Sequence, residues 1–304
     1  MLSIPLNYLT RKSDLEKLIS LGISHFYIGY MPSFWYQKYG WELSTNRRFF
    51  PVLPHITAET HLREIISTAH KHNARIFLAL NYHYYSWKQY PFLRKIIKLS
   101  EELEIDGYIV SDLALILYLR REKINREIHL STCAGCYNTQ TISFYEQFGI
   151  KHFNLPRKLS PGEITELLNT TPSYITFEIL IFGEWCKYSD AYCFTAHGYN
   201  RENFCNSFFI KKLVSKQKGA IPEEKLPSTA IPHCGVCIIS KLHPYNNRII
   251  YKLSLRSSDY PGIDKTTLVR KILKILKSGD ISAQKCQKIM DKYCHKKHAC
   301  AYEI

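Results

Sequence analysis

Short apolar segments alternate along this chain with longer amphipathic ones. In the amphipathic segments apolar residues recur three and four positions apart, as with Leu15, Leu18 and Ile19, which is the period of a helix. The apolar segments predict eight strands, at 3–7, 25–30, 75–81, 107–111, 127–131, 152–156, 174–180 and 248–255. The helices predicted among them are 14–21, 59–72, 91–103, 139–148 and 161–168, with Ser13 and Ser160 as candidate N-caps.

Strands that alternate with helices predict an α/β fold with a parallel sheet. Eight strands joined mostly by helices indicate a TIM-like (β/α)8 barrel, whose active groups are expected where strands end and the following loops begin. An aromatic, basic segment at 31–57 and a cysteine-rich insertion at 186–237, after strand seven, interrupt the alternation. Helical patterns at 265–277 and 281–293 follow. We therefore predict a barrel domain over 1–264, including the insertion, and a C-terminal helical appendage over 265–304.

The composition adds the sign of the charge to this picture. Of 304 residues, 45% are hydrophobic and 22% charged, which suits one large globular domain. Lysine and arginine number 41 against 26 acidic residues, and this excess attracts nucleic acid, anionic membrane or acidic small molecules, or only aids solubility. Residues 1–12 show no leader pattern, and the apolar run at 113–119 is shorter than the roughly 20 residues that span a bilayer. A cytoplasmic protein without a membrane span is expected.

Cysteine placement supplies the candidate chemistry. None of the ten cysteines precedes Cys133, and five of them lie in 186–237. In a chain without a secretory signal, this clustering favours metal ligation or redox chemistry over disulfides. Structural zinc sites usually contain pairs with about two to four intervening residues, whereas six residues separate Cys186 from Cys193 and Cys205 stands alone. The spacing therefore favours an iron-sulfur cluster.

The ligand set has alternatives. The preferred ligands are Cys186, Cys193, Cys205 and Cys234. Cys237 is the other candidate for the fourth ligand. The alternative for all of these cysteines is that their thiols bind no metal and pack as small hydrophobic side chains. A CxxC pair at 133–136 is expected to be inert, because no thioredoxin-like context surrounds it. A C-terminal group could hold a second metal or simply pack as a helix and tail: Cys286, Cys294, His295, His298 and Cys300.

Polar side chains near predicted strand ends complete the candidate site. Glu178 on strand seven is the candidate catalytic acid or base, and an ion pair to a neighbouring strand is its alternative role. Arg157 has a planar fork that matches a carboxylate or phosphate. The candidate substrate-binding residues, which we expect to share one mouth of the barrel with Glu178, are Asn81, His83, His129 and Arg157.

The segment beyond strand seven resembles a motif of the peptidase U32 family, Glu-x-Phe-x-x-Gly-x-x-Cys, with a second cysteine after six residues and two later ones. Glu178, Gly183, Cys186 and Cys193 match this motif, while Leu180 replaces the phenylalanine. Residues 193–196 resemble the quinone-hydroxylation branch in particular. Other segments similar to the family are 106–112, 128–132, 155–160 and 251–256, so the resemblance covers residues 106–256.

The resemblance implies a 4Fe-4S cluster and oxygen-independent hydroxylation of RNA (tRNA or rRNA) or of a small aromatic substrate such as a quinone precursor of ubiquinone biosynthesis. Two alternatives stay open. One is a non-catalytic, cluster-bearing subunit that binds RNA or a partner protein, since some family members work as paired subunits. The other is a protease, which is disfavoured because the sequence contains no nucleophile elbow, HExxH or other protease signature.

Overall fold

The computed structural model of this chain describes residues 1–7, 9–40, 43–47, 55–183, 189–193, 233–254, 264–279, 281–294 and 302. Short segments rich in β-branched and aromatic residues form most of the strands, because such side chains suit a pleated surface. The strands are β1 (Leu2–Pro5), β2 (His25–Ile28), β3 (Arg75–Leu80), β4 (Gly107–Val110), β5 (Glu127–Leu130), β6 (His152–Asn154), β7 (Thr176–Gly183), β8 (His233–Cys234) and β9 (Ile249–Ser254).

Eight of these strands close into a parallel barrel. Strands β1 to β6 pair in chain order, β6 pairs with β7, β7 with β9, and β9 returns to β1. Strand β8 lies outside this ring and pairs antiparallel with the end of β7. Each predicted strand overlaps one strand of the ring, so the predicted TIM-like barrel is confirmed.

The five helices predicted within the barrel are confirmed to within about two residues at most ends, and three further helices of the described residues were missed. The missed helices are α2, α5 and the four-residue α8, and α5 is so uniformly apolar over 113–119 that its period is hidden. The helices are α1 (Lys12–Ser20), α2 (Ser33–Tyr39), α3 (Glu59–Lys71), α4 (Tyr90–Glu102), α5 (Leu113–Arg121), α6 (Thr139–Glu146), α7 (Pro161–Thr170), α8 (Ile239–Leu242), α9 (Lys265–Leu276) and α10 (Ala283–Met290). Across the described residues, none of the helices has the length and apolarity that a membrane crossing requires.

Helix caps explain where two of these helices begin. Ser160 is confirmed as the N-cap of α7: its hydroxyl accepts from the Glu163 N–H, and the Glu163 carboxylate accepts from the Ser160 N–H at 2.7 Å. The expectation for Ser13 is wrong, since α1 already begins at Lys12. The carboxylate of Asp14 accepts from the N–H of Arg11 at 3.2 Å and fixes this earlier start.

The main apolar core lies between the barrel and its helices. Successive residues of a strand face opposite sides, so Phe26 and Ile28 pack into this core. His25, the first residue of β2, instead faces the interior. Its ring centre lies 5.5 Å from that of His129 on β5, and these two non-neighbouring strands meet only inside the barrel. Helices α9 and α10 contribute to the same outer core, whereas the division of the chain at residue 264 stays a prediction.

The end of β7 approaches β9 so closely that it requires glycine. Gly183 has a φ of 122°, which side chains rarely adopt, and a Cβ there would lie 2.1 Å from the carbonyl oxygen of Ser254. The structure therefore explains why a glycine stands at this position of the motif that begins at Glu178. It allows β7 and β9 to stay paired up to the mouth of the barrel.

Replacing Gly183 with alanine is expected to destabilise the protein more than the same change at Gly22. Gly22 also has a positive φ, of 91°, but a Cβ there meets nothing within 4 Å, so Gly22→Ala carries only backbone strain of about 1 kcal/mol. Gly183→Ala adds the clash with Ser254, and we expect the free energy of unfolding to fall by about 3 kcal/mol. Urea unfolding measures both losses, and equal losses would contradict this role of Gly183.

Candidate functional site

A buried carboxylate occupies the interior of the barrel. Glu178 on β7 is only 2% exposed. One of its oxygens bonds the ammonium of Lys252 on β9, and the other lies 2.7 Å from Nδ1 of His129 and 3.4 Å from Nε2 of His25. Lys252 also donates to Oδ1 of Asn154 on β6 at 2.7 Å. Four strands besides β7 therefore contribute a polar group to this one cluster.

These contacts keep Glu178 ionised. Burial by itself would raise the pKa of its carboxyl group, but the charge of Lys252 and the hydrogen bonds from His129 and His25 outweigh burial and hold that pKa well below its ordinary value. A proton carrier works best with a pKa near the operating pH. The ion pair to a neighbouring strand is thus present, and the catalytic role of Glu178 stays a prediction.

Asn81 joins three parts of the chain at the carboxyl-terminal mouth of the barrel. Its amide nitrogen donates to Oγ of Ser131, which follows β5, at 3.0 Å. Its amide oxygen accepts from the backbone N–H of Arg47 at 3.2 Å. The basic segment predicted at 31–57 therefore reaches the mouth beside the ends of β3 and β5.

Arg157 lies at the same mouth, and its guanidinium group is already paired. Its Nε donates to Oδ2 of Asp190 at 3.0 Å, and a second nitrogen bonds Oδ1, which makes the pair bidentate. Burial alone would raise the pKa of Asp190, but Arg157 outweighs it and lowers that pKa. The fork fastens a part of the insertion to the barrel, and its binding of an anionic substrate stays a prediction.

His83 connects the mouth to one of the predicted cluster ligands. Burial, with the nearby charge of Arg47, lowers the pKa of its imidazole to about 4, although hydrogen bonds to the backbones of Cys193 and Cys133 act in the opposite direction. The ring is therefore neutral at neutral pH. It holds the loop after β3 against the loop after β5 and against the backbone of Cys193.

The predicted cluster ligands are described in part. Cys234 in β8 pairs with Phe182, which places it beside the carboxyl end of β7. Cys193 follows Asp190 at the mouth, whereas Cys186 and Cys205 lie outside the described residues. Thiolates at the carboxyl end of a barrel strand have the donor chemistry that an iron-sulfur cluster needs, so the described cysteines fit such a group.

Other described cysteines differ from Cys193 and Cys234 in their contacts, burial or thiol pKa. The Cys237 thiol donates to the carbonyl of Ala283 at 3.7 Å, toward the C-terminal helices. Burial raises the pKa of Cys136 to about 12 and that of Cys133 to about 11, so both thiols are protonated at neutral pH. Cys286 is fully buried in the main core. The expected inertness of the CxxC pair agrees with these pKa values.

The sequence-based prediction missed two residues of this site, Lys252 and Asp190. Lys252 did carry a signal, because a lysine between apolar residues of an inner strand must find a partner inside. No local pattern marks Asp190, since its partner Arg157 lies 33 residues away along the chain. Of the predicted residues, Asn81, His83 and Arg157 surround the mouth, and His129 and Glu178 lie in the interior.

Several known proteins resemble this chain, among them two curated proteins and one solved structure. Both proteins are named tRNA hydroxylation protein P: that of Escherichia coli (strain K12) is 30% identical over 138 residues, and that of Haemophilus influenzae is 28% identical over 138 residues. Each match covers 45% of this chain and only 30% of the relative's own length. The structure of the U32 peptidase Mk0906 aligns with a TM-score of 0.49 and 13% identity over 84% of this chain and 93% of that chain.

The family model of Peptidase family U32 matches residues 10–206, which is more than half of the chain. The match extends the resemblance seen from residue 106 onward into the first hundred residues, and it includes β2 to β7 and three of the four predicted cluster ligands. This chain belongs to peptidase family U32.

Proposed function

We propose that this protein carries a 4Fe-4S cluster and takes part in the hydroxylation of tRNA. The observation that carries the proposal is that the matched relatives within this family are tRNA hydroxylation proteins. They favour tRNA over the quinone precursor ring. The matched stretch is under a third of those relatives, so substrate and reaction are proposed here, and a paired family subunit stays a prediction of the sequence.

The cluster would be held by Cys186, Cys193, Cys205 and Cys234. An iron-sulfur cluster supplies one-electron transfer when bound, and the protein supplies binding, orientation and electrostatics. His83 holds the backbone of Cys193, and the pairing of β8 with β7 holds Cys234. Both contacts support a ligand set fixed by the rigid end of the barrel.

An aromatic, basic groove next to the mouth supports an RNA substrate. Tyr118 of α5 has the guanidinium carbons of Arg94 and Arg121 at 5.5 and 5.6 Å from its ring centre. Trp87 is 78% exposed, with the ammonium of Lys88 at 5.6 Å from its ring. Bases stack on such aromatic side chains while cations contact the phosphates. The loop that follows β3 carries Asn81 and His83 at the mouth and continues directly into Trp87, so the groove and the mouth are neighbours.

The described residues include a serine–histidine contact of the kind that serine proteases use, but its geometry does not suit proteolysis. Oγ of Ser44 lies 3.4 Å from Nε2 of His55, and the amide nitrogen of Asn46 lies 3.2 Å from Nδ1 of the same ring. An amide donor at Nδ1 leaves the ring proton on Nε2, so the ring cannot accept the proton of Ser44. All three side chains are buried, which also keeps a peptide from reaching them.

Replacing Cys186 with alanine is expected to abolish the cluster. Anaerobically purified wild-type protein should be coloured and contain the iron and sulfide of a 4Fe-4S cluster, whereas Cys186→Ala should lose both because one ligand is gone. Absorption spectra with iron and sulfide analysis measure this, and Cys294→Ala is the matched control that should keep the colour. A colourless, iron-free wild type would contradict the proposal. A second experiment tests the reaction in cells. Mass spectrometry of tRNA nucleosides from a deletion strain should show one nucleoside lighter by the mass of one oxygen, and expression of Cys186→Ala should fail to restore the hydroxylated nucleoside.

Trp87→Ala and Arg121→Ala are each expected to weaken tRNA binding. Loss of one stacked base costs about 1–3 kcal/mol, so Trp87→Ala should lower the affinity roughly 5- to 150-fold. Arg121→Ala should lower the salt dependence of binding by about one phosphate contact. Arg63→Ala on α3 is the matched control, because Arg63 is also an exposed arginine beside a glutamate. Filter binding over a range of salt concentrations measures these effects, and unchanged affinity of both groove variants would refute an RNA role for this groove.

A further inference from the structure

Two histidines and a glutamate converge at the amino-terminal end of the barrel, opposite the mouth near which Cys193 and Cys234 lie. Glu127 opens β5, His129 follows it two residues later, and His152 opens β6. Nε2 of His129 lies 2.7 Å from Oε1 of Glu127, and Nε2 of His152 lies 2.9 Å from the same oxygen. Both imidazoles therefore direct the same ring atom at one point.

The other nitrogen of each ring is held by a neighbouring strand. Nδ1 of His129 lies 2.7 Å from Oε1 of Glu178, and Nδ1 of His152 bonds the hydroxyl of Thr176 on β7. Histidines that bind metal ions almost always have their second nitrogen held by a carboxylate, a carbonyl or water, which fixes the ring. The carboxylate contact of His129 is of this kind, and the hydroxyl of Thr176 orients His152 in the same way.

The hydrogen bonds of His129 leave a specific position to be filled. Both of its nitrogens face carboxylate oxygens, and the side chain is fully buried. A positive group, either a proton or a metal ion, must therefore lie between Nε2 and Glu127. His70, at the same end of the barrel, pairs with the single carboxylate of Asp106 at 3.1 Å and shows no such convergence.

Access and charge favour this position over the adjacent one. The side chains of Glu127 and His152 are 23% and 26% exposed, so an ion could enter from solvent and keep a water ligand. The neighbouring group of His25, His129 and Glu178 is wholly buried, and Lys252 already bonds its carboxylate. Arg75 bonds the second oxygen of Glu127, so Oε1, which faces the two histidines, is the carboxylate oxygen that would bind the ion.

We propose that Glu127, His129 and His152 form a binding site for a divalent transition-metal ion of the zinc class. Nitrogen and carboxylate ligands at about 2.0–2.2 Å in a tetrahedral site are roughly 3.3 Å apart. The two N···O distances thus need to widen by only about half an ångström. The two rings, stacked 4.7 Å apart between their centres, also need to tilt toward the ion, which the partly exposed His152 permits. Three protein ligands leave a fourth position open for water or another small ligand. The site is separate from the cysteines and does not depend on the proposed function.

Zinc stoichiometry of matched variants tests this site. Wild type, His152→Gln, Glu127→Gln and the control His70→Gln are dialysed anaerobically against Zn²⁺ at pH 7.5, and bound zinc is counted. Thiols bind equally in all four proteins, so the expected result is one zinc ion fewer in His152→Gln and in Glu127→Gln than in wild type and His70→Gln. Glutamine keeps one hydrogen bond at each position, and urea unfolding confirms that the variants are folded.

Histidine side-chain ¹⁵N spectra give the second measurement. Zinc should shift Nε2 of His129 and His152 in the wild type and leave the ring of His70 unchanged. Equal zinc content of wild type and both site variants would overturn the proposal. So would Nε2 signals of His129 and His152 that stay in place under excess zinc, even if the variants proved too unstable to compare.

Discussion

The pairing of the Glu178 carboxylate inside the barrel is the interaction on which the rest of this structure depends. An unpaired charge in a protein interior costs so much free energy that the group would instead become neutral. Glu178 avoids this through Lys252, His129 and His25, which come from three other strands. A shift of any of these strands by one residue would turn its polar group toward the apolar helices. The cluster therefore specifies strand register, whereas the apolar core outside the barrel specifies mainly that strands and helices pack.

The same carboxylate connects the two ends of the barrel. Through Lys252 and Asn154 it reaches β9 and β6 below the mouth, and through His129 it orients the ring that faces Glu127. Because His129 lies between two carboxylates, removal of Glu178 would leave its Nδ1 without the carboxylate that it faces. Glu127 at the amino-terminal end and Glu178 in the interior therefore belong to one hydrogen-bonded network, which His129 connects.

The barrel could be predicted from the sequence because its strands are short apolar runs and its helices have a clear period. Gly183 and Glu178 stood out because they match the Glu-x-Phe-x-x-Gly-x-x-Cys motif of the family. Helix α5 could not be predicted, since a nearly uniform apolar segment has no period to detect. The pair of Arg157 and Asp190 could not be predicted either, because a contact between residues 33 positions apart depends on how the chain folds. The sequence missed how the candidate residues pair with one another, and their catalytic and binding roles stay predictions.

That mutual pairing decides where a large substrate would be recognised. At the described part of the mouth, Arg157 is bonded to Asp190, Asn81 to Ser131, and His83 is neutral through burial. An incoming phosphate would have to displace Asp190 to reach the Arg157 fork, and an unpaired buried aspartate is costly. The exposed cations and rings around Tyr118 require no such exchange. Under the proposed function, a polyanion such as RNA is therefore expected to bind the outer groove, and the mouth is expected to position a single base.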